Sequence, residues 1–233
     1  GPRSRQSFAL LARSFRHRNF RLFFAGQFIS LIGTWMQSVA VSWLVYRLTG
    51  SAMALGTVGF VTYLPVFVLG LWGGSLADRR DKRRLLVVTQ VAAMGQALAL
   101  AALTLTSAAT VWYVGALAML LGVVNAVDMP TRQAFVVEMV GKEDLHNAIA
   151  LNSSMFNSAR VLGPALAGLL VAAVGEGMCF LLNGVSYLAV IASLLLMRLP
   201  PPVARPPKEP MAAHIAAALR HAWGDRTMRG ILA

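Results

Sequence analysis

The sequence holds a single cysteine, Cys179, among its 233 residues, which excludes an intrachain disulfide and any metal centre built on several thiolates. Charge is scarce: 13% of the residues are Asp, Glu, Lys or Arg, against 57% hydrophobic. A water-soluble fold of that composition would expose far too much apolar surface, so lipid is expected to be the main solvent. Histidine is sparse, and His17, His146, His214 and His221 all fall in predicted loops or termini, which leaves no intramembrane acid–base pair with histidine. A serine elbow, a phosphate-binding glycine loop and a two-histidine metal pattern on a helix are missing as well. The sequence therefore offers no catalytic residue, no cofactor site and no metal site.

Acidic residues are the rarest charges, 9 against 21 Lys and Arg, for a net charge of +12. In a soluble protein that excess would suggest nucleic acid, but placement argues otherwise. All the basic residues except Arg47 and Arg160 cluster at the start of the chain, in two short loops or after the last span. That distribution is a topology signal, with both termini expected in the cytoplasm of a plasma (inner) membrane and the bilayer as the first partner.

What is abundant is long apolar runs. A span needs about 20 mostly apolar residues, and six such runs are predicted at Phe20 to Tyr46, Met53 to Ala77, Leu85 to Ser107, Val111 to Thr131, Leu145 to Val174 and Met178 to Met197. The first exceeds a signal-peptide core and is read as a retained helix. The domain scheme is a basic segment over 1–19, a six-helix bundle over 20–198, and a tail over 199–233. That tail opens with Pro200-Pro201-Pro202, continues as an amphipathic helix from Met211 to Trp223, and ends on Ile231-Leu232-Ala233, which reads as the opening of a seventh span. Gly1-Pro2 reads as the remnant of a proteolytic cleavage. Residues 20 to 107 and 111 to 197 each hold three spans, and the middle span of each carries a break, Pro65 in one and Gly163-Pro164 in the other. The fold class is thus an all-α membrane protein built as a 3+3 inverted repeat, a common construction in secondary transporters.

Polar residues inside the spans are costly unless they face water or one another. Gln27, Ser30, Thr34 and Gln37 form one stripe on span one; Asn125, Asp128 and Arg132 share a face of span four; Ser153, Asn157, Arg160 and Pro164 share a face of span five. Three stripes imply an aqueous cavity, although hydrogen bonding between helices is the competing account. Asp128 is the only acidic residue in the predicted membrane interior, so it is the natural counter-charge for Arg160, with Arg132 four residues away competing for it. A proton-coupling carboxylate and a substrate or gating arginine fit this placement, and so does a static ion pair.

Between spans two and three stands Gly74-Ser75-Leu76-Ala77-Asp78-Arg79-Arg80-Asp81-Lys82-Arg83-Arg84. Gly74 permits close helix approach, while Asp78 suits capping of the next helix and pairing with arginines. This segment resembles the signature loop of the major facilitator superfamily at Gly74, Leu76, Ala77, Asp78, Arg79, Lys82 and Arg83, and departs from it at Asp81, where a second glycine is usual. Gly163, Pro164 and Gly168 are similar to the glycine-rich motif of the drug:proton antiporters, with alanine at two of its other positions. Arg18-Asn19-Phe20-Arg21-Leu22, Ala25 to Ser30, and Asp128-Met129-Pro130 with Arg132-Gln133 resemble the enterobactin-exporter branch.

The resemblance covers only the first half of a twelve-helix member. It implies a conformational latch at Gly74, Asp78, Arg79, Lys82 and Arg83, and alternating-access export of small amphipathic molecules, drugs or siderophores, against protons. The other half is then either a missing C-terminal six-helix unit or a second copy of the chain. A membrane-embedded enzyme and a channel are the rival classes, the first disfavoured by the absences above and the second by the kinked helices.

Overall fold

The computed structural model describes residues 13–198, without the side chains of residues 13, 142 and 143. The tail beyond residue 198, with its expected helix and seventh span, lies outside the described residues. Six helices long and apolar enough to cross a membrane follow one another: α1 (Arg18–Thr49), α2 (Ala52–Arg79), α3 (Lys82–Leu105), α4 (Val111–Gly141), α5 (Asp144–Val174) and α6 (Glu176–Leu196). A short 3-10 turn, Arg13–Arg16, precedes them. No strand occurs among the described residues.

Local chemistry sets the boundaries. Ser51, Asp81 and Thr110 each accept a backbone N–H from three residues on, capping α2, α3 and α4. Gly50 closes α1 in the left-handed region at φ 61°, with its N–H on the Tyr46 carbonyl, and Gly141 at φ 71° breaks α4 from α5. Two expectations need correction. The span expected to stop at Thr131 runs to Gly141, which puts Arg132 inside a helix instead of in a loop. The cap of α3 is Asp81, the residue that departs from the family pattern, because its Oδ1 accepts from Arg84 N at 2.8 Å. Asp78 lies inside α2, whose last helical residue is Arg79, and so cannot cap the following helix.

Packing follows the 3+3 repeat. Helix α1 lies along α6 through Gly26 and Gly33, where an added Cβ would stand 2.7 Å from the Ala189 carbonyl and 2.5 Å from Asn183 Oδ1. Helix α4 lies along α3 through Ala93, Ala97 and Val124. These pairings exchange when the first triplet is overlaid on the second, and the other close contacts do too. On one side Gly122 of α4 meets the Thr62 carbonyl and Pro65 of α2, while Gly73 of α2 meets the Ala126 carbonyl. On the other, Gly163 of α5 meets Trp35 and the Ile32 carbonyl of α1. Small residues let backbones approach where lipid supplies no hydrophobic drive between helices.

The end of the bundle with the basic loops is tied by polar contacts. Arg18 and Arg83 donate to the carbonyls of Leu196 (3.1 Å) and Leu195 (2.7 Å), Asn19 donates to Arg198 O at 2.8 Å, and together they cap the C-terminus of α6. Lys82 pairs with Glu138 of α4 at 2.7 Å, and His17 meets Asp144 of α5 at 2.9 Å. At the opposite end Arg47 pairs with Glu176, joining α1 to α6.

Candidate functional site

A cavity of about 380 Å³ opens inside the bundle, walled by α1, α2, α3 and α4 with Phe156 of α5 and Tyr187 of α6. Its polar wall includes Gln27, Ser30, Thr34 and Gln37 from α1, and Asn125, Asp128 and Arg132 from α4, all seven predicted from two of the stripes. Val58, Val66, Val114, Leu121 and Met129 supply apolar surface, so the space suits a molecule with an oily body and a few polar groups.

Asp128 sits at the heart of the polar wall with its side chain 1% exposed. Its Oδ1 accepts from Thr89 Oγ1 at 2.7 Å and from Gln90 Nε2 at 2.8 Å, both on α3. Its Oδ2 accepts from the Arg132 guanidinium one turn along α4. On the far side of that guanidinium lies Gln27, whose amide oxygen, turned towards it, accepts from Nε at 3.1 Å. One carboxylate thus receives three donors from two helices, which offsets its desolvation. Gln90 Oε1 is buried with no hydrogen-bond partner among the described residues.

Towards the middle of the bundle runs a chain of amides. Asn183 of α6 donates to Gln37 Oε1 at 2.8 Å, Gln37 donates to Gln96 Oε1 of α3 at 3.0 Å, and Ser186 donates to Asn183 Oδ1 at 3.2 Å. Thr34 Oγ1 lies 3.4 Å from the Tyr187 hydroxyl. These bonds fix α1, α3 and α6 to one another; a satisfied network in low dielectric is rigid and an unsatisfied one expensive.

The third stripe is placed differently. Helix α5 buries Met155, Ala159, Gly163 and Ala167 at intervals of four, and that seam turns Ser153, Asn157 and Arg160 onto an exposed flank, off the cavity lining. Asn157 Nδ2 donates to its own helix, at Ser153 O. Arg160 does not meet Asp128, which Arg132 has taken; its guanidinium lies over the Trp35 ring, 5.5 Å from the centroid, and Phe156 abuts the same ring edge-on at 5.5 Å. Pro164 follows Gly163 within α5, and a Cβ on Gly168 would meet nothing within 4 Å.

Around the expected latch, the close-approach glycine is Gly73 and not Gly74: a Cβ on Gly73 would stand 1.9 Å from the Ala126 carbonyl, whereas one on Gly74 meets nothing within 4 Å. The one-residue offset follows from the side of α2 that faces α4. Lys82 is buried against α4 and Arg83 reaches α6, while Asp78 and Arg79 stand exposed at the end of α2.

Several participants escaped sequence reasoning: Thr89, Gln90 and Gln96 on α3, Asn183 and Tyr187 on α6, and Trp35. A signal was present, since Gln90, Gln96 and Asn183 are uncharged amides inside otherwise apolar spans, where each must find a partner. Among the described residues no three His, Cys, Asp or Glu side chains gather as a metal site.

A family model described as transmembrane secretion effector matches residues 10–233. The staphyloferrin A transporter of Staphylococcus aureus is 31% identical over 77% of this chain and 45% of its own length. The macrolide efflux protein A of Streptococcus pyogenes is 28% identical over 66% of the chain and 39% of its own. The enterobactin exporter EntS of Citrobacter koseri is 25% identical over 92% and 52%. The chain spans about half the length of the curated relatives it matches. With six apolar spans and the loop motif in place, it belongs to the transmembrane secretion effectors of the major facilitator superfamily and corresponds to their N-terminal six-helix half.

Proposed function

We propose that the chain is the N-terminal half of a secondary transporter that exports small amphipathic organic molecules, of the drug or siderophore kind, in exchange for protons. The observation that carries this reading is the Asp128–Arg132 pair in the wall of a largely apolar cavity. A carboxylate that already accepts from Thr89, Gln90 and Arg132 takes up a proton only by giving up acceptor capacity, and the ion pair is what it loses. Protonation of Asp128 releases Arg132 towards Gln27 and the cavity, and binding of substrate polar groups to Arg132 favours that release. Proton and substrate thereby compete through one guanidinium, which is the coupling an antiporter requires.

Alternating access needs two halves around a shared site. The mean burial of the spans supports a second half: in the most apolar stretch of α2 only 11% of residues are buried and in α5 17%, against 44% in α1, α3 and α6. A C-terminal six-helix unit in the continuation of the chain covers these faces in our reading, and a second copy is the alternative. The basic end, with Asp78 and Arg79 closing α2, faces the cytoplasm together with both termini.

The test is pH-gradient-driven uptake of rhodamine 123 into inside-out vesicles holding either this chain or the chain with its native continuation. Uptake by the extended protein alone supports the two-half reading; uptake by the 233-residue chain supports the homodimer. Asp128→Asn keeps an acceptor for Thr89 and lowers gradient-driven uptake at least tenfold. Full uptake by that variant removes Asp128 from coupling.

A further inference from the structure

We infer that Arg160, seated on the Trp35 ring at the open flank of the cavity, makes the transporter prefer molecules that carry an anionic group beside an aromatic body. This rests on the export reading above and narrows its substrate class.

Arg160 stands at the middle of α5, 16 residues after Asp144 and 14 before Val174, the part of a span that lies deepest in a bilayer. A guanidinium at that depth does not face hydrocarbon; it faces water or a partner group. Among the described residues it makes no ion pair, and its one recorded contact is the face of Trp35, 5.5 Å away. Arginine on an aromatic face keeps its in-plane N–H donors free for a planar anion. Trp35 and Phe156 both line the cavity and meet edge to face, so the aromatic platform borders the space that holds Asp128 and Arg132, with Arg160 on the flank just outside that lining.

Charge decides the sign of the preference. Asp128 and Arg132 cancel one another, which leaves Arg160, among the described residues, as the uncompensated charge beside the cavity. A carboxylate or a similar anion gains a charge-assisted, bidentate contact there, while its aromatic body packs on Trp35 and Phe156. Ser153 and Asn157 lie on the same exposed flank and offer short polar groups to the same ligand. A purely cationic molecule is repelled by Arg160 and gains the packing alone.

Rhodamine 110 and rhodamine 123 test this directly, because they share one ring system and differ in a free carboxylate against its methyl ester. The chain with its native continuation, purified in detergent, is titrated with each dye by fluorescence anisotropy and then assayed for proton-driven export of both from proteoliposomes. The expected result is about tenfold tighter binding of rhodamine 110. Arg160→Gln abolishes that preference by weakening rhodamine 110 alone, Arg160→Lys keeps part of it, and Trp35→Leu weakens both dyes.

A wild type without preference, or a preference that survives Arg160→Gln, overturns the inference and leaves the export reading standing if both dyes are still exported. So does an Arg160→Gln variant that loses thermal stability while keeping the preference, since Arg160 is then neutralised by a carboxylate of the remaining half. A preference in binding that depends on Arg160, without any proton-driven export, upholds the anion site and sinks the export reading instead.

Discussion

Two arginines on neighbouring helices meet the same bilayer in opposite ways. Arg132, in the wall that α4 forms with α3, finds a carboxylate one turn away and an amide across on α1. Arg160, on the flank of α5, finds only an aromatic face among the described residues. The wall is closed on itself but for Gln90 Oε1: carboxylate, hydroxyl, amides and guanidinium form one network. The flank is open, with Ser153, Asn157 and Arg160 exposed and Val161, next in sequence, at 71%. Closed polarity of the first kind satisfies its own charges within the six helices. Open polarity of the second kind has no such closure among the described residues, and under the proposed function it is completed from outside the six helices. The division comes from helix seams, because α4 turns its polar stripe inwards where it packs on α3, and the Met155-Ala159-Gly163-Ala167 seam of α5 turns its stripe aside.

If the wall is closed, breaking its central pair is the costliest change. Asp128→Ala leaves Thr89, Gln90 and Arg132 without their acceptor and is expected to cost about 2–3 kcal/mol, below the range for a fully buried pair because Arg132 is 22% exposed. Adding Arg132→Leu recovers most of the loss, since removing both members leaves no unpaired charge. Thermal unfolding of purified protein in detergent measures both; a double variant as unstable as the single would show that Arg132 needs no partner.

Gly73→Ala comes next. Its new methyl overlaps the Ala126 carbonyl, a backbone atom that cannot turn away, so α2 and α4 must separate at about 1–3 kcal/mol. Gly74→Ala, one residue on, meets nothing and leaves the unfolding midpoint of this chain within a degree or so of the parent. Equal effects of the two substitutions would mean that α2 is rotated about its axis relative to the packing described here.

Much of this was legible in the sequence, and the remainder was not for definite reasons. Hydropathy and the loop motif announce six spans, and the stripes on spans one and four announce the cavity, because apolar length and the helical repeat are properties of single segments. Which way a stripe faces is not such a property. Span five carries a polar stripe as regular as that of span one, yet its seam of Met155, Ala159 and small residues, legible only beside α1, decides that Ser153 and Asn157 face outwards. Partner choice is equally non-local: Asp128 could be matched with Arg160 or Arg132 on charge alone, and one helical turn on α4 settles it. The motif reading placed close approach at Gly74 and the cap at Asp78, each close in sequence to the residue that does the work, Gly73 and Asp81. Nearest neighbours in sequence stand about 100° apart around a helix, so an offset of one is enough to move a contact from a seam to an open face.

The smallest effects separate wall from flank most finely, because both substitutions remove the same kind of polar group. Gln96→Leu deletes the acceptor of Gln37 Nε2 in a fully buried chain of amides and strands that donor, at about 1–2 kcal/mol. Asn157→Leu removes an amide whose recorded bond is to the Ser153 carbonyl of its own helix, at an exposed position, and is expected to shift stability by less than about 0.5 kcal/mol. Unfolding in detergent reads the first as a drop of a few degrees and the second as no change. A loss at Asn157 comparable to that at Gln96 would mean that the flank is already closed within these six helices, and Arg160 would then have a partner that removes the need for an anion from outside.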